Sequence, residues 1–192
     1  MVAERRMGSI ESEKGDAMLD AAEVILLEEG YAALTSRRVA EQMGVKQRLV
    51  YYYFRSMDEL ILETFRRLSR RELERLEEAA RCERPVHALW DICMNTSDVR
   101  IVSEFMAIAN RNEDVRQEVV SFIKKSRRIQ TRVIQKAVSK NRAAASLMSP
   151  EALAFLGAGL ALALNREAAL GVTAGHSVVN KKVKELVEII EP

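Results

Sequence analysis

The chain contains few of the residues that catalysis and metal binding most often require. Among its 192 residues there are two cysteines, Cys82 and Cys93, and two histidines, His87 and His176. The cysteines lack CxxC spacing and the histidines lack His-x-x-x-His spacing, which argues against a disulfide framework and the common zinc sites. A G-x-S-x-G elbow and a Walker-type glycine loop are also missing. We therefore expect no enzymatic activity, no metal and no cofactor.

Strand patterns, a signal peptide and a membrane span are missing from the sequence as well. β-Branched residues do not alternate between hairpin turns, and residues 1–14 are polar and charged without an apolar core. The uncharged run from Ala152 to Leu164 has 13 residues, whereas a bilayer-spanning helix needs about 20. The sequence therefore predicts a cytoplasmic all-α protein of about nine helices with no membrane partner.

The chain is well supplied with apolar residues and with charges of both signs. Hydrophobic residues make up 48% of it, enough for a core, and the formal net charge is only +2. If the chain binds nucleic acid, it must therefore do so through a local basic patch and not through its overall charge. Between Thr35 and Ser56 five basic side chains stand against Glu41 alone, five minus one or +4 in 22 residues. Charge alone favours an ordinary solvated helical hairpin here.

The stretch from Leu34 to Leu60 has the pattern of two short helices joined by a tight turn. Thr35 suits an N-cap, because its hydroxyl accepts a hydrogen bond from a backbone N–H at the helix start. Gly44 follows the last turn of the first helix, where a positive φ is common. Tyr53 and Phe54 are assigned to the core beneath the second helix. This order is typical of the helix-turn-helix motif, whose second helix enters the DNA major groove.

The same stretch resembles the DNA-binding signature of tetracycline-repressor-type (TetR) transcriptional regulators. With the helix before it, the resemblance covers about a quarter of the chain. The chain departs from the family at Lys46, where a capping serine is common, and at Met57, where many relatives carry a phosphate-contacting lysine. The matching residues are Thr35, Arg37, Val39 and Ala40, then Gly44 and Val45, then Val50 to Phe54, and finally Ser56, Glu59 and Leu60.

The resemblance implies which side chains meet DNA. Thr35 and Arg37 are expected near the DNA backbone, and the Tyr51 hydroxyl is expected at a phosphate. Residues 46–48 begin the recognition helix, where a glutamine can pair with adenine and an arginine with guanine. Leu49 is expected at a thymine methyl group. The predicted DNA-binding set is Thr35, Arg37, Lys46, Gln47, Arg48, Leu49, Tyr51 and Tyr52.

The pattern divides the chain into three parts. These are a flexible tail (residues 1–14), a helix-turn-helix DNA-binding domain (15–60) and an effector-binding and dimerisation domain (61–192). The apolar spacing from Asp16 to Glu29 predicts the first helix. Ser149 and Pro150 predict an N-cap and a first helical position much later in the chain.

Two C-terminal helices look like the family's dimerisation pair, which forms a four-helix bundle with a second copy. The first contains the uncharged run, and a helix that is apolar nearly all round must be buried. The second is amphipathic and runs from Ser177 to Ile190. A core helix within one chain is the alternative, but a DNA reader that needs two half-sites favours the homodimer. The predicted interface is Leu153, Leu156, Gly159, Leu160, Ala163, Val179, Val183, Leu186, Val187 and Ile190.

In the family, a pocket in the helices after the DNA-reading unit binds a small molecule that releases DNA. The resemblance implies such a pocket here, although the same side chains could simply fill a core. Methionine and aromatic residues give adaptable apolar walls, so a mostly apolar effector is expected. If the effector has an anionic group, we expect that group to bind Arg166 or the basic stretch of helix from Lys124 to Arg142. The predicted lining is His87, Trp90, Cys93, Met94, Phe105, Met106, Ala109, Phe122, Asn165 and Arg166.

The sequence therefore leaves two alternative functions. The first is a ligand-responsive homodimeric repressor that binds a near-palindromic DNA operator. The second is a dimeric helical protein that binds a small molecule and has no affinity for DNA. The departures at Lys46 and Met57 keep the second function open.

Overall fold

The computed structural model describes residues 9–95, 99–141 and 148–192, and these residues form nine α-helices and no strand. This confirms the all-α prediction. Residues 1–8 of the predicted tail lie outside the described residues. The helices are α1 (Glu13–Glu28), α2 (Ser36–Met43), α3 (Arg48–Tyr53), α4 (Met57–Ala79), α5 (Pro85–Met94), α6 (Val99–Ala109), α7 (Glu113–Val138), α8 (Pro150–Ala169) and α9 (His176–Ile190).

The chain folds as two compact units. The first unit comprises Met1–Ser69 and Arg100–Val119, and the second comprises Arg70–Val99 and Val120–Pro192. The elements predicted to read DNA therefore lie in the first unit, and the C-terminal helices α8 and α9 lie in the second.

The first unit is built on α1, which packs against α2. Helix α1 begins three residues before the predicted start, because the Ser12 hydroxyl caps it by accepting from the Gly15 N–H at 3.2 Å. The Arg67 guanidinium of α4 donates to Asp20 Oδ1 at 2.7 Å and to Glu23 Oε1 at 2.8 Å. These bonds join α1 to α4.

The core of the first unit takes side chains from every one of its helices. The Phe65 ring packs at a tilt on the Phe105 ring, with 4.8 Å between the centroids. Phe54 is completely buried, as predicted for the residue that closes α3. Other buried side chains are Met18, Ile25, Leu26, Val39, Val50, Leu60, Ile61 and Val115.

The core of the second unit lies between α5, α8, α9 and parts of α4 and α7. Pro150 occupies the first position of α8, and the Ser149 hydroxyl accepts from the Ala152 N–H at 3.2 Å, as predicted. Trp90 is half-buried against this core. The buried residues are Leu76, Ala79, Val86, Leu89, Ile129, Val133, Ile134, Val138, Leu153, Ala154, Val187 and Ile190.

A polar clasp joins the C-terminal end of α9 to the N-terminal end of α5. Glu191 Oε2 accepts from the backbone N–H groups of Val86 at 2.9 Å and His87 at 3.2 Å. These are free donors at a helix start, and a carboxylate there also suits the helix dipole. The His87 ring lies 3.1 Å from Glu191 Oε2 and 3.0 Å from Glu188 Oε1. The Arg84 guanidinium completes the clasp by donating to Glu188 Oε2 at 3.0 Å.

Helix α8 is only partly covered within one chain. Leu153, Ala154, Ala161 and Leu164 face the core, but Phe155 is 66% exposed and Leu156 and Leu162 are also exposed. By length and composition, α8 alone among the described helices is apolar enough to cross a membrane. A packing helix of a water-soluble protein has the same composition, so this is weak evidence for a membrane span.

Candidate DNA-binding surface and effector site

The first helix of the predicted motif begins and ends where the sequence indicates. The Thr35 hydroxyl accepts from the Arg38 N–H at 3.1 Å, which confirms it as the N-cap of α2. Gly44 ends α2 with φ +66°, and nothing lies within 4 Å of the position that a Cβ would take. Backbone conformation, and not space, therefore requires glycine at the turn.

Helix α3 begins without the side-chain cap that a serine would provide. Its N-cap residue is Gln47, whose side chain does not bond to the helix. The Gln47 amide instead donates to Ser36 Oγ at 2.8 Å, and the Tyr51 hydroxyl lies 3.0 Å from the same Ser36 oxygen. Ser36 is only 4% exposed. One buried hydroxyl therefore ties the start of α2 to the start and middle of α3.

Sequence reasoning did not single out Ser36. Its partners lie 11 and 15 positions further along the chain. A serine in the first turn of a helix carries no local sign of such contacts. These contacts of Ser36 depend on the angle at which α2 packs on α3, and a single sequence does not give that angle.

The predicted DNA-binding residues lie together on α2, α3 and the turn between them. Leu49 is half-buried, whereas the other seven members of the set are exposed. Tyr53 and Phe54 point into the core, so the Tyr–Phe run divides into an outer and an inner pair.

Ion pairs concentrate the free positive charge at the start of α3. Arg37 Nε lies 2.8 Å from Glu41 Oε1, and Arg38 holds both Glu29 oxygens at 2.6–3.0 Å. The hydrogen bond from Arg38 lowers the pKa of Glu29, so that pair stays ionised at neutral pH. Lys46 and Arg48 have no carboxylate partner within the described part of the chain. The patch of +4 is therefore partly neutralised, and the two unpaired charges lie at the start of α3, the predicted recognition helix.

The predicted effector residues are divided between the two units. Phe105, Met106 and Ala109 belong to the first unit, where Phe105 and Ala109 are buried and Met106 is exposed. The other seven belong to the second unit. Among these, His87 is taken up by the clasp with α9, and Arg166 is exposed.

Cys93 is the centre of the second-unit part of the predicted effector set. The Asn165 amide donates to the Cys93 carbonyl at 2.9 Å, so the structure brings these two predicted residues together. Burial raises the pKa of the Cys93 thiol to about 11, and the nearby Glu72 carboxylate adds to the rise. The thiol is therefore protonated at neutral pH and is not a reactive thiolate.

Two residues beside Cys93 were missed by sequence reasoning. They are Arg127 and Gln130 of α7, which the sequence places in a helix rich in exposed basic residues. Gln130 is 7% exposed, and its Nε2 lies 3.9 Å from Cys93 Sγ. Periodicity assigned polar side chains to the outer face of α7, and it gives no sign of a polar residue on the inner face.

The predicted dimer residues differ in their exposure within one chain. Leu153, Val187 and Ile190 are buried in the core of the second unit, and Leu156 and Gly159 are exposed. The remaining five, Leu160, Ala163, Val179, Val183 and Leu186, are half-buried.

Part of the chain matches a known protein family. Residues 18–64 match the tetR family of bacterial regulatory proteins. No curated protein sequence is significantly similar to the chain.

Several solved structures share the fold over nearly the whole chain. A transcription regulator of the TetR type from Haloarcula marismortui is 18% identical, with a TM-score of 0.73 over 94% of this chain and 99% of its own. GusR from Salmonella enterica is 17% identical, with a TM-score of 0.70 over 94% and 98% of the two chains. A transcriptional regulator from Saccharomonospora viridis, solved in complex with choline, is 14% identical, with a TM-score of 0.75 over 94% of each chain. Residues 18–64 thus match the tetR family of bacterial regulatory proteins, and the described helices have the all-helical fold of solved TetR-type transcriptional regulators.

Proposed function

We propose that this protein is a homodimeric transcriptional repressor that binds a near-palindromic operator and is released from it by a small effector. The observation that carries the proposal is the start of α3. There, Lys46 and Arg48 are exposed and unpaired within the described residues, at the reading end of the family's DNA-binding domain.

The placement of α2 and α3 supports DNA recognition through the start of α3. The N-terminal residues of a recognition helix reach base edges, while the flanking elements contact phosphates. Arg48 can donate two hydrogen bonds to a guanine in the major groove. Tyr51 can turn its exposed hydroxyl from Ser36 to a phosphate, because that contact is not enclosed.

Dimer formation is supported by the uncovered apolar face of α8. That face is formed by Phe155, Leu156, Gly159 and Leu162. Gly159 has no side chain, so a helix of a second copy can approach closely there. Water would otherwise meet several large apolar side chains on a helix with little charge. Because Leu153, Val187 and Ile190 already face the protomer core, the proposed interface rests on the outer face of α8 and the half-buried part of α9.

Effector binding is proposed in the second unit, around Trp90, Cys93, Met94 and Asn165. Met94 and Trp90 lie on the same helix as Cys93, and the Asn165 amide binds the Cys93 carbonyl. The S. viridis regulator of the same fold was solved with a small molecule, choline, which supports a small-molecule effector in this fold. An effector lowers DNA affinity only if it binds the DNA-incompetent state more tightly.

The test is a gel-shift assay of the full chain on the DNA that flanks its own gene. We expect a discrete complex that survives excess unrelated DNA and weakens as salt is raised. The alternative, a dimeric small-molecule-binding protein without DNA affinity, requires that no complex forms even at low salt. That result would overturn the proposed function.

A further inference from the structure

A polar cluster lies inside the second unit, around Cys93. Gln130 approaches the Cys93 sulfur from α7, and Asn165 of α8 binds the Cys93 carbonyl. Arg127 of α7 and Glu72 of α4 both lie close enough to act electrostatically on the thiol. Polar groups from four helices thus meet in one half-buried cluster. Each buried polar group there needs a hydrogen-bond partner.

Two atoms of this cluster have no hydrogen-bond partner. Among the described residues, Arg127 Nη1 and Gln130 Oε1 are the buried side-chain nitrogen and oxygen atoms left without one. Gln130 Nε2 makes only long contacts, 3.9 Å to Cys93 Sγ and 3.4 Å to Ser126 Oγ. The cluster is therefore short of one acceptor and one donor.

The missing acceptor is the more costly of the two, because Arg127 carries a charge. Its guanidinium stacks on the Phe155 ring, with Cζ 4.7 Å from the centroid, and no ion pair joins it to a carboxylate in the described ranges. The nearest acidic group of the cluster, Glu72, is occupied by Arg75 at 2.8 Å. Burial lowers the pKa of Arg127, so desolvation disfavours its charged form, and the Phe155 ring does not replace a carboxylate partner. Such an unpaired charge destabilises a fold unless a partner arrives.

We infer that the cluster is the binding site for the anionic head group of the effector, and that the effector is a small amphiphilic carboxylate. This inference rests on the proposed effector response and names its chemistry. The carboxylate accepts from Arg127 Nη1, and its apolar body lies along Trp90, one turn before Cys93 on α5. Arg166 is exposed and has no such need for an anion.

Gln130 provides the second contact to the carboxylate. A half-turn of its amide exchanges the nitrogen and the oxygen. The Cys93 thiol, which the raised pKa keeps protonated, then donates to Oε1, and Nε2 donates to the ligand. In this arrangement both orphaned atoms are satisfied.

The first test needs no ligand and compares Arg127→Met with Arg128→Met. Arg128 is the next residue on α7 and is exposed, so it is a matched control. We expect Arg127→Met to raise Tm by about 2–4 °C, because it removes a partly desolvated charge that has no carboxylate partner among the described residues, and Arg128→Met to leave Tm unchanged. A lower Tm for Arg127→Met would overturn the inference, since Arg127 would then be a satisfied structural residue.

The second test titrates the protein with octanoate, 1-octanol and octyltrimethylammonium, followed by the fluorescence of Trp90, the sole tryptophan. We expect octanoate to bind at least about tenfold more tightly than the alcohol and the cation, as a charge-assisted hydrogen bond provides. Arg127→Met should remove this preference and Arg128→Met should keep it. No binding of octanoate, equal binding of the alcohol, or a preference that survives in Arg127→Met would each overturn the inference.

A gel-shift assay with octanoate separates this inference from the proposed function. Release of DNA from wild type, but not from Arg127→Met, supports both. Binding of octanoate through Arg127 without release of DNA supports the anion site and contradicts the effector response. Failure of the wild-type protein to bind DNA at all contradicts the proposed function and leaves the fluorescence result to decide the site.

Discussion

At the scale of single residues, Ser36 connects α2 and α3 within the proposed DNA-binding surface. Its buried hydroxyl holds the Gln47 amide and the Tyr51 hydroxyl at 2.8 and 3.0 Å. We expect Ser36→Ala to release both side chains and to lower the free energy of unfolding by about 0.5–1.5 kcal/mol. It should also change the base preference of the operator where Gln47 reads it. Ser139→Ala, at an exposed serine that directly follows α7, is the control.

Binding-site selection and chemical denaturation test this expectation. An unchanged base preference in Ser36→Ala, together with a lower stability, would show that the network supports the fold without orienting Gln47 on DNA.

At the scale of helices, the clasp between α5 and α9 makes stability depend on pH. The pKa of Glu188 is lowered by its hydrogen bond with His87, and then by that with Arg84. A carboxyl with a lowered folded pKa contributes stability that is complete above its unfolded pKa, about 4.3 for glutamate. That contribution is lost as the pH falls through the lowered value. We expect Glu188→Gln to have a lower Tm than wild type at pH 7, and the difference to shrink as the pH falls below about 4.3.

Thermal denaturation at several pH values measures this difference. Glu185→Gln is the matched control, because Glu185 lies on α9 and its partner among the described residues is Lys182 alone. A gap between Glu188→Gln and wild type that does not close in acid would contradict the role given to the clasp.

Helix ends were the part of the fold that the sequence predicted best. Thr35, Gly44 and Pro150 act within one or two turns of their own positions, so local chemistry decides them. The early start of α1 at Ser12 was missed, because the apolar pattern begins only later. Ser36 and Gln130 depend on neighbouring helices, and their contacts could not be read from periodicity.

At the scale of the whole molecule, a substitution on the uncovered face of α8 tests the proposed dimer. A Cβ at Gly159 would meet nothing within 4 Å, so the protomer has room for a larger side chain there. We expect Gly159→Glu to leave the fold intact and to shift the protein from dimer to monomer, since a charge would be buried at the interface. DNA affinity should fall with it, because one half-site offers too few contacts.

Sedimentation velocity, with circular dichroism as the check on folding, decides this outcome. Lys184→Glu on the exposed side of α9 is a control for an added negative charge. A stable dimer of Gly159→Glu would move the interface away from the outer face of α8.

The apolar pattern alone did not separate Leu156, which faces solvent, from Leu153, which faces the core. Both lie on one apolar helix, and the sequence cannot say whether a side chain meets its own chain or a second copy.

The central claim is that the start of α3 reads DNA, and the most direct measurement compares operator binding by wild type and Arg48→Ala. Arg111→Ala, an exposed arginine elsewhere in the first unit, is the control. Fluorescence anisotropy over a range of salt concentrations gives both affinity and its salt dependence. We expect Arg48→Ala to bind the operator at least about fivefold more weakly and to lose preference at one base position, while Arg111→Ala behaves like wild type. Unchanged affinity and unchanged base preference in Arg48→Ala would contradict the placement of α3 in the major groove.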